Sequence, residues 1–553
     1  MKVAKINQEI TVSDQILASD IPEIAQQGFK TIFCHRPDGE GPDQPNFKEI
    51  DKAAQALGLK VKYLPVTMGK ISEGDIEQFS SSYDQADKPL FSYCRSGMRA
   101  ITLWSLKEAE NKTLPELLSI GKNAGFDMSG LTLSLASGKQ SSENTKKHQI
   151  VIIGGGAAGI SVASSLLKRD SGLDIAIIDP AETHYYQPGW TMVGGGIFTA
   201  EQTVKTMASV IPDGVTWIKA AVAAFEPDDN IVTLEGCRLV KYDKLIVCPG
   251  IKLNWHGIEG LVETLGQNGV TSNYRYDLAP YTWELVRSMR KGKAVFTQPP
   301  MPIKCAGAPQ KAMYLSGDHW FKSGDLHNIE IDFFTSTPGL FGVKEFVPPL
   351  MEYVEKYNAN LKFSHTLTKV DGKNKLAWFA TKLEDGTIET IETSFDMLHV
   401  VPPQQAPDFI RASPIVDSAG WVDVNPDTLQ HKKYQNIYSL GDVVNSPNAK
   451  TAAAARKQAP VVATNILFDL SKSTKRAIYN GYGSCPLTVE RGKVILAEFG
   501  YGGKLLPSFP KWLLNGQKPT KLAWILKESI LPPMYWKAML KGREWLAKPD
   551  NKG

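Results

Sequence analysis

The stretch His148–Asp179, HQIVIIGGGAAGISVASSLLKRDSGLDIAIID, decides the fold. Ile150-Val151-Ile152-Ile153 is an apolar run of the kind that forms a strand buried on both faces. Gly154, Gly156 and Gly159 follow at G-x-G-x-x-G spacing, with Ala157 between them. The pattern predicts a helix from Ala158 to about Lys168, then a second buried strand over Ile175–Ile178 that ends in Asp179. Strand, glycine turn, helix, strand and acid together make a dinucleotide fingerprint. The first glycine permits the tight turn, the second lets backbone approach a pyrophosphate, and the third lets helix pack on strand. The helix N-terminus offers free N–H groups to that pyrophosphate. Asp179 can accept from a ribose hydroxyl.

The chain has 553 residues, enough for three or four domains. Its hydrophobic content of 42% and charged content of 22% are those of a globular protein, and a net charge of +4 gives no argument for nucleic acid. MKVAKINQEI has no apolar core, so no signal peptide is expected, and no apolar run reaches membrane-spanning length. The six cysteines, Cys34, Cys94, Cys237, Cys248, Cys305 and Cys485, follow neither a disulfide-scaffold nor a zinc spacing. Reactive thiols in a reducing compartment, and no metal site, are expected.

Residues 1–125 read as a small α/β module. Strands are predicted at Thr31–Phe33, Val61–Val66 and Pro89–Tyr93. Helices are predicted at Lys48–Leu57, after a Ser72-x-x-Asp75 capping box, and from Arg99 to about Glu110. Between the last strand and its helix runs Cys94-Arg95-Ser96-Gly97-Met98-Arg99. A cysteine at a strand end before a helix N-terminus is expected to have a lowered pKa. The same N–H groups form a nest for an anion, phosphate or a persulfide sulfur, which Arg99 would close. With CRSGMRA and HRPDGEGPDQP, the module resembles the phosphatase-fold domain of β-lactamase-hydrolase-like sulfur proteins. The loop is Cys-x4-Arg, the length found in single-domain rhodanese-like sulfurtransferases, where tyrosine phosphatases use Cys-x5-Arg. The resemblance therefore implies persulfide carriage on Cys94, with a tyrosine-phosphatase-like hydrolase as the alternative.

Residues 126–147 contain a Ser-rich, aperiodic stretch and read as a linker, with the boundary near 140. Residues 148–255 form the first part of the dinucleotide domain, which closes on Tyr242–Gly250, YDKLIVCPG, a strand and tight turn. This segment resembles the second fingerprint of flavoproteins with two dinucleotide domains. Gly250 is then expected at the cofactor and Cys248 as a small residue lining it. Residues 256–384 should hold a second Rossmann-like domain. The strand Lys293–Thr297 there runs into QPPMPIKC, with no GxGxxG and with prolines that lack the N–H a pyrophosphate needs. A nicotinamide cofactor is therefore not expected. Cys305, between Lys304 and Lys311, is a candidate redox thiolate. Residues 385–470 return to the first domain. A strand ends at Gly441-Asp442, where Asp442 would accept from a ribityl chain. Lys450 opens a helix whose N-terminus would favour an anionic reduced flavin.

Over 148–553 the chain resembles the sulfide:quinone oxidoreductases of mitochondrial type. The carrying segments are IKCAGAPQK, MLHVVPPQQAPD, AGWVDVNPDTLQH, GDVVNSPNAKTAAA and YGSCPL. The resemblance implies an α/β fold with two Rossmann-type domains behind the phosphatase-like module, FAD as cofactor, and sulfide and quinone as substrates. It also implies two redox cysteines, one in the CAGAPQK motif and one just after Gly-Asp. The second position reads Val443-Val444-Asn445, so the bridge cannot form there: either another thiol or the substrate supplies Cys305 with a partner, or the enzyme is impaired, and the sulfide sulfur is expected on Cys305. Alternatives that follow are a single-cysteine NAD(P)H-dependent disulfide or persulfide reductase, and a flavin-bound sulfur sensor without turnover.

Residues 471–553 form a C-terminal region in which Trp512, Trp524, Trp536 and Trp545 lie among lysines. Two amphipathic pieces are separated by Pro532-Pro533. Tryptophan favours the headgroup layer and lysine anionic lipid. Monotopic association with a membrane surface near the quinone is expected, with packing on the core or in a homo-oligomer as the alternative. The location expected is cytoplasmic, peripheral on the inner face of the cytoplasmic membrane. The other partners expected are sulfide or a low-molecular-weight persulfide, and no nucleic acid.

Overall fold

The computed structural model describes residues 3–41, 44–67, 71–109, 111–126, 128, 146–235 and 239–552. Most of the predicted linker and Cys237 lie outside the described residues. By internal contacts the chain divides into two compact units, Met1–Lys147 with Ala221–Lys241, and His148–Ala220 with Tyr242–Gly553.

The first unit carries a five-stranded sheet of β1 (Val3–Lys5), β2 (Ile10–Ser13), β3 (Thr31–Cys34), β4 (Lys60–Tyr63) and β5 (Leu90–Tyr93), ordered β1-β2-β5-β3-β4. β1 is an antiparallel edge, and the other neighbours run parallel. β2, β3 and β5 are buried along their whole length, because two separate apolar layers cover the sheet. In the parallel pair β3–β5 the strands end together, so His35 and Cys94 emerge at the same carboxyl edge, where α/β sheets bind ligands. The capping box forms as expected: Ser72 Oγ accepts from the Asp75 amide, and the Asp75 carboxylate accepts from the Ser72 amide. The last predicted helix runs Met98–Glu108. The excursion Val222–Leu234 is an antiparallel hairpin.

In the second unit, Ile150–Ile153 pairs in parallel with Ile175–Ile178, which pairs with Val215–Ile218. The fingerprint helix spans Ala157–Arg169, one residue earlier than its apolar period suggested. The strand ending at Val247 pairs in parallel with Ile437–Ser439, so the two fingerprint turns and Gly441-Asp442 share one sheet edge. The second domain is an all-parallel sheet of Val270–Thr271, Met397–His399, Gly292–Gln298, Ile329–Thr335 and Ala359–Phe363, in that order. A late hairpin, Gly483–Glu490 with Lys493–Phe499, packs on the helix Ala308–Ser323. Their shared core joins Ala312, Met313, Tyr314 and Trp320 to Cys485, Leu487, Val489 and Ile495.

The C-terminal pieces are not split at the prolines. Lys521–Ile525 is α-helical, Leu526–Ile530 forms a π turn, and Leu531–Lys537 continues as an α-helix. Pro532 and Pro533 occupy its first turn, where an absent N–H costs least, and the wide π turn absorbs the change. No described helix is long and apolar enough to cross a membrane.

Candidate active site

The glycine turn is built as its spacing demands. Gly154 has φ of 101°, and a Cβ there would meet the Cys248 carbonyl oxygen at 2.5 Å. A Cβ on Gly159 would collide with the Gly154 carbonyl. Beside Gly156, by contrast, a Cβ would enter open space, the face a pyrophosphate would approach. Asp179 accepts from the Gly155 amide at 2.6 Å and the Ala181 amide at 2.7 Å, which holds the turn and leaves the acid on the wall of a cavity. That cavity, about 690 Å³, is also lined by Gly156, Ala157, Gly250, Gly441, Asp442 and Lys450. Gly154 and Gly159 stand behind this wall rather than in it.

Gly441 N–H donates to Gln458, and Lys450 Nζ donates to the carbonyls of Asp442 (2.6 Å) and Val444 (2.8 Å). Burial pulls Lys450 down to about 8 and pushes the Asp442 carboxyl up, against the pull of Lys450 and Lys304. Thr451 caps the following helix by accepting from Ala454. The buried Asn273 side chain, Trp190 Nε1 and Thr191 Oγ1 face the same cavity without a hydrogen-bond partner among the described residues. Polar groups buried in this way call for a bound partner. Glycine cradle, acid and orphaned donors together fit a dinucleotide carrying a polar ring system. Cys248 is buried, and burial raises its thiol, so it is a small wall residue as expected.

Of the options left open for Cys305, the structure places another thiol beside it. Its Sγ lies 3.5 Å from Cys485 Sγ, 180 residues later. The hairpin Gly483–Glu490 delivers Cys485 against the turn that starts the helix Ala308–Ser323. Val443 and Val444, where a second cysteine was sought, are buried apolar residues. Val444 forms a bridge with Val422, so this position is part of the core. Cys485 stands in YGSCPL, a segment already legible as shared with the resembling family. What sequence lacked was any sign that a strand so distant folds back on Cys305.

Cys305 sits at φ of 51°, a left-handed conformation that costs a non-glycine residue on the order of 1 kcal/mol or more. It is held there by its amide donating to the Lys450 carbonyl (2.8 Å) and by its carbonyl accepting from Ala308 (2.7 Å). The Tyr274 hydroxyl adds hydrogen bonds to the carbonyls of Lys304 and Cys305. The two flanking lysines take different roles. Lys311 Nζ donates to Cys305 Sγ at 3.2 Å, whereas Lys304 reaches away to Gln187 at 2.6 Å. A third lysine, not singled out in the sequence, is Lys527, buried and hydrogen-bonded to the Pro486 carbonyl at 3.0 Å. A hydrogen bond from Cys485 and the charge of Lys311 hold the Cys305 thiol well below its ordinary range, against burial. Cys485 is held well above its own. The two thiols are thus pushed apart in pKa, Cys305 toward the thiolate and Cys485 toward the thiol. Burial and the neighbouring Lys311 push Lys527 well below the ordinary lysine range.

In the first unit, Cys94 is buried at the end of β5, and Gly97, with φ of 84°, caps the following helix. Arg99 is buried beside it, with one amino group donating to Glu40 at 2.7 Å and the other to the Val66 carbonyl at 3.0 Å. His35 is buried and lowered to about 4, chiefly by burial. Its Nδ1–H donates to the Leu64 carbonyl, which leaves Nε2 to accept from Ser92. Among the described residues no cluster of side chains could hold a metal ion.

The dinucleotide fold is of the pyridine nucleotide-disulphide oxidoreductase type, the family model that residues 148–288 match, preceded at 3–111 by a match to the phosphatase-like domain of β-lactamase hydrolase-like proteins. Within that class the particular family is set by full-length relatives. The mitochondrial sulfide:quinone oxidoreductase of Dictyostelium discoideum is 41% identical over 417 residues, which cover 75% of this chain and 90% of that protein. The chain belongs to the sulfide:quinone oxidoreductase family, and is an oxidoreductase. The crystal structure of the sulfide:quinone oxidoreductase of Aquifex aeolicus shares the fold, with a TM-score of 0.60 at 20% identity, over 72% of this chain and 92% of that one. The N-terminal part is 37% identical over 134 residues to the β-lactamase hydrolase-like protein of Agrobacterium fabrum. That match covers 24% of this chain and 31% of that protein.

The expected location, cytoplasmic and on the inner face of the cytoplasmic membrane, is corrected by these relatives. The Dictyostelium, mouse and fission-yeast proteins are mitochondrial. A basic, Trp-bearing tail answers to any anionic lipid surface, so it could not distinguish one membrane from another.

Proposed function

We propose that this protein oxidises sulfide at the Cys305–Cys485 pair, uses FAD, and delivers the electrons to quinone at a membrane surface. The observation that carries this reading is the sulfur pair itself, 3.5 Å apart, with Cys305 in the wall of the cavity that the dinucleotide cradle opens into. With the pair oxidised, hydrosulfide attacks Cys485. A new S–S bond forms, the Cys305–Cys485 bond breaks, and Cys305 leaves as a thiolate. Lys311 makes Cys305 the better leaving group, since a lower thiol pKa favours departure. The sulfane sulfur therefore rests on Cys485, in place of the Cys305 expected from the sequence. FAD held in the cradle supplies the two-electron acceptor between this thiolate and quinone. The pyrophosphate would lie at Gly156 and Ala157, the ribose at Asp179, and the ribityl chain at Asp442.

The exposed Trp512, Leu513, Leu522 and Ile525 support membrane contact by the C-terminal region. The Cys94 loop supports a second step. A persulfide R–S–SH delivers its outer sulfur to the Cys94 thiolate, forming Cys94–S–SH and releasing R–S⁻, with no external oxidant. A nicotinamide donor is not part of this reading, because the strand Gly292–Gln298 of the second domain runs into Pro299-Pro300 where a glycine turn would be needed.

Anaerobic mixing of the flavin-loaded protein with sulfide tests the proposal. Bleaching of the flavin absorbance, recovery on adding a soluble quinone, and loss of both in Cys485→Ser with flavin still bound are expected. Bleaching at the normal rate in Cys485→Ser, or bleaching by NADPH in place of sulfide, would overturn it.

A further inference from the structure

The loop that follows β3 contributes more than a wall to the Cys94 cradle. Glu40 lies there with a single carboxylate oxygen shared between two guanidinium groups, Arg99 at 2.7 Å and Arg36 at 2.9 Å. Both arginines are buried, with side chains 8% and 9% exposed, while Glu40 is 28% exposed. Arg36 is completed by Gln15 at 2.8 Å and Arg99 by the Val66 carbonyl, so the donors are pinned from both sides. The hydrogen bond from Arg99 holds the Glu40 carboxyl below its usual range, and burial only partly opposes this.

Arg99 is the residue that closes a Cys-x4-Arg loop, and its guanidinium is the group that would grip a tetrahedral oxyanion bound over Cys94. Here a carboxylate of the protein already occupies that group. We propose that Glu40 is an internal counter-anion that sets the specificity of the Cys94 cradle. It admits a sulfur atom delivered to Cys94 and keeps tetrahedral oxyanion dianions, such as phosphate, out. This deepens the reading of Cys94 as a sulfane-sulfur carrier and rests on it.

The charges explain the selection. Arg36 and Arg99 bring two positive charges, and Glu40 already engages both of them through one carboxylate oxygen. A sulfane sulfur atom transferred to Cys94 is itself neutral and adds no charge to these groups. A phosphate dianion adds two negative charges against a carboxylate whose own cations it would have to take, and like-charge contact of this kind is strongly penalised. His35, a further titratable group at this edge, is lowered to about 4 by burial and adds no positive charge near pH 7. Arg95, exposed at the mouth, can meet the rest of a persulfide donor without displacing Glu40.

The test uses the full-length flavin-loaded protein with inorganic phosphate as the probe. Phosphate affinity is read as protection of Cys94 from alkylation, located by mass spectrometry. Separately, transfer of sulfane sulfur from a low-molecular-weight persulfide to Cys94 is measured as mass gain. Glu40→Gln should gain phosphate affinity by about tenfold or more and keep sulfur loading. Glu40→Asp, which keeps the charge, should exclude phosphate as the native protein does and so serves as a check on folding. Phosphate protecting the native protein as well as Glu40→Gln would overturn the inference. Sulfur loading absent from every variant, with the phosphate gain still present, would instead overturn the sulfur-carrier reading and leave the role of Glu40 as the gate intact.

Discussion

A Cβ placed on Gly307 would stand 2.5 Å from Cys485 Sγ and collide with the side chain of Leu487. Gly307 follows Cys305 by two residues and begins the helix against which the Cys485 strand packs. Its φ is ordinary, so glycine is needed there for close approach rather than for backbone freedom. The 3.5 Å separation of the sulfurs depends on that missing methyl group.

Gly307→Ala is therefore expected to push the Cys485 strand outward and separate the pair. Overpacking of this kind costs about 1–3 kcal/mol of stability. The rate of flavin reduction by sulfide should fall by at least about tenfold, as displacement of a reacting group by an ångström predicts. Flavin content should not change, since the dinucleotide cradle is built by other segments. Normal reduction kinetics in a folded Gly307→Ala protein would show that the pair tolerates separation.

Lys311 governs the charge state of the pair. With Nζ 3.2 Å from Cys305 Sγ, it helps hold that thiol below the ordinary range. A lowered pKa keeps the thiolate populated as pH falls from 9, until the lowered value is crossed. In the reduced protein, iodoacetamide should thus alkylate Cys305 with a pH midpoint well below that of a free cysteine. Lys311→Met should move the midpoint upward and slow sulfide oxidation by about 100-fold, the scale of losing one charge-stabilising group. An unmoved midpoint would assign the thiolate to the Cys485 hydrogen bond alone.

Much of this was legible in the chain, for reasons that differ by residue. Ile150–Asp179 was readable because its chemistry is local: strand, turn and helix are neighbours in sequence, and each glycine serves a contact within a few residues or with the adjoining strand. The strand and helix that flank the Cys94 loop were readable for the same reason. Glu40 and Cys485 were not. Glu40 reaches Arg99 only because β3 and β5 end side by side, and Cys485 reaches Cys305 only because a late hairpin folds onto the second domain's core. The prolines at 532 and 533 illustrate the converse, since a local signal read as a break is absorbed by a π turn.

Three buried histidines, His35, His184 and His399, are lowered to about 4, in each case chiefly by burial. An unfolded histidine titrates near 6.5, so between these values the unfolded chain binds more protons than the folded one. Their contribution to stability is complete above pH 6.5 and falls as pH drops toward 4. From pH 7.5 to 5, urea unfolding should register a loss of about 2 kcal/mol for each group. His399→Gln should remove about a third of that slope in the summed transitions. A flat profile over this range would mean that these rings are already protonated in the folded state.

The C-terminal region gives a prediction that separates membrane contact from chemistry. Of its four tryptophans, Trp524 is buried and donates to Glu528, whereas Trp512 is 84% exposed. Beside it Leu513 is exposed, as are Leu522 and Ile525 on the following helix, and none of the four lines the cavity. Exposed apolar side chains beside Lys511, Lys518 and Lys521 have the composition of a surface that enters the headgroup layer. Trp512→Ala with Ile525→Ser should reduce co-sedimentation with anionic phospholipid vesicles by about tenfold or more, since each large side chain contributes roughly 1.5–3 kcal/mol when buried. Flavin reduction by sulfide and its reoxidation by a water-soluble quinone should be unchanged, while turnover with a long-chain quinone in vesicles should fall in step with binding. Full vesicle binding by the double variant would assign these residues to contact with another protein surface, and the membrane reading of the tail would be withdrawn.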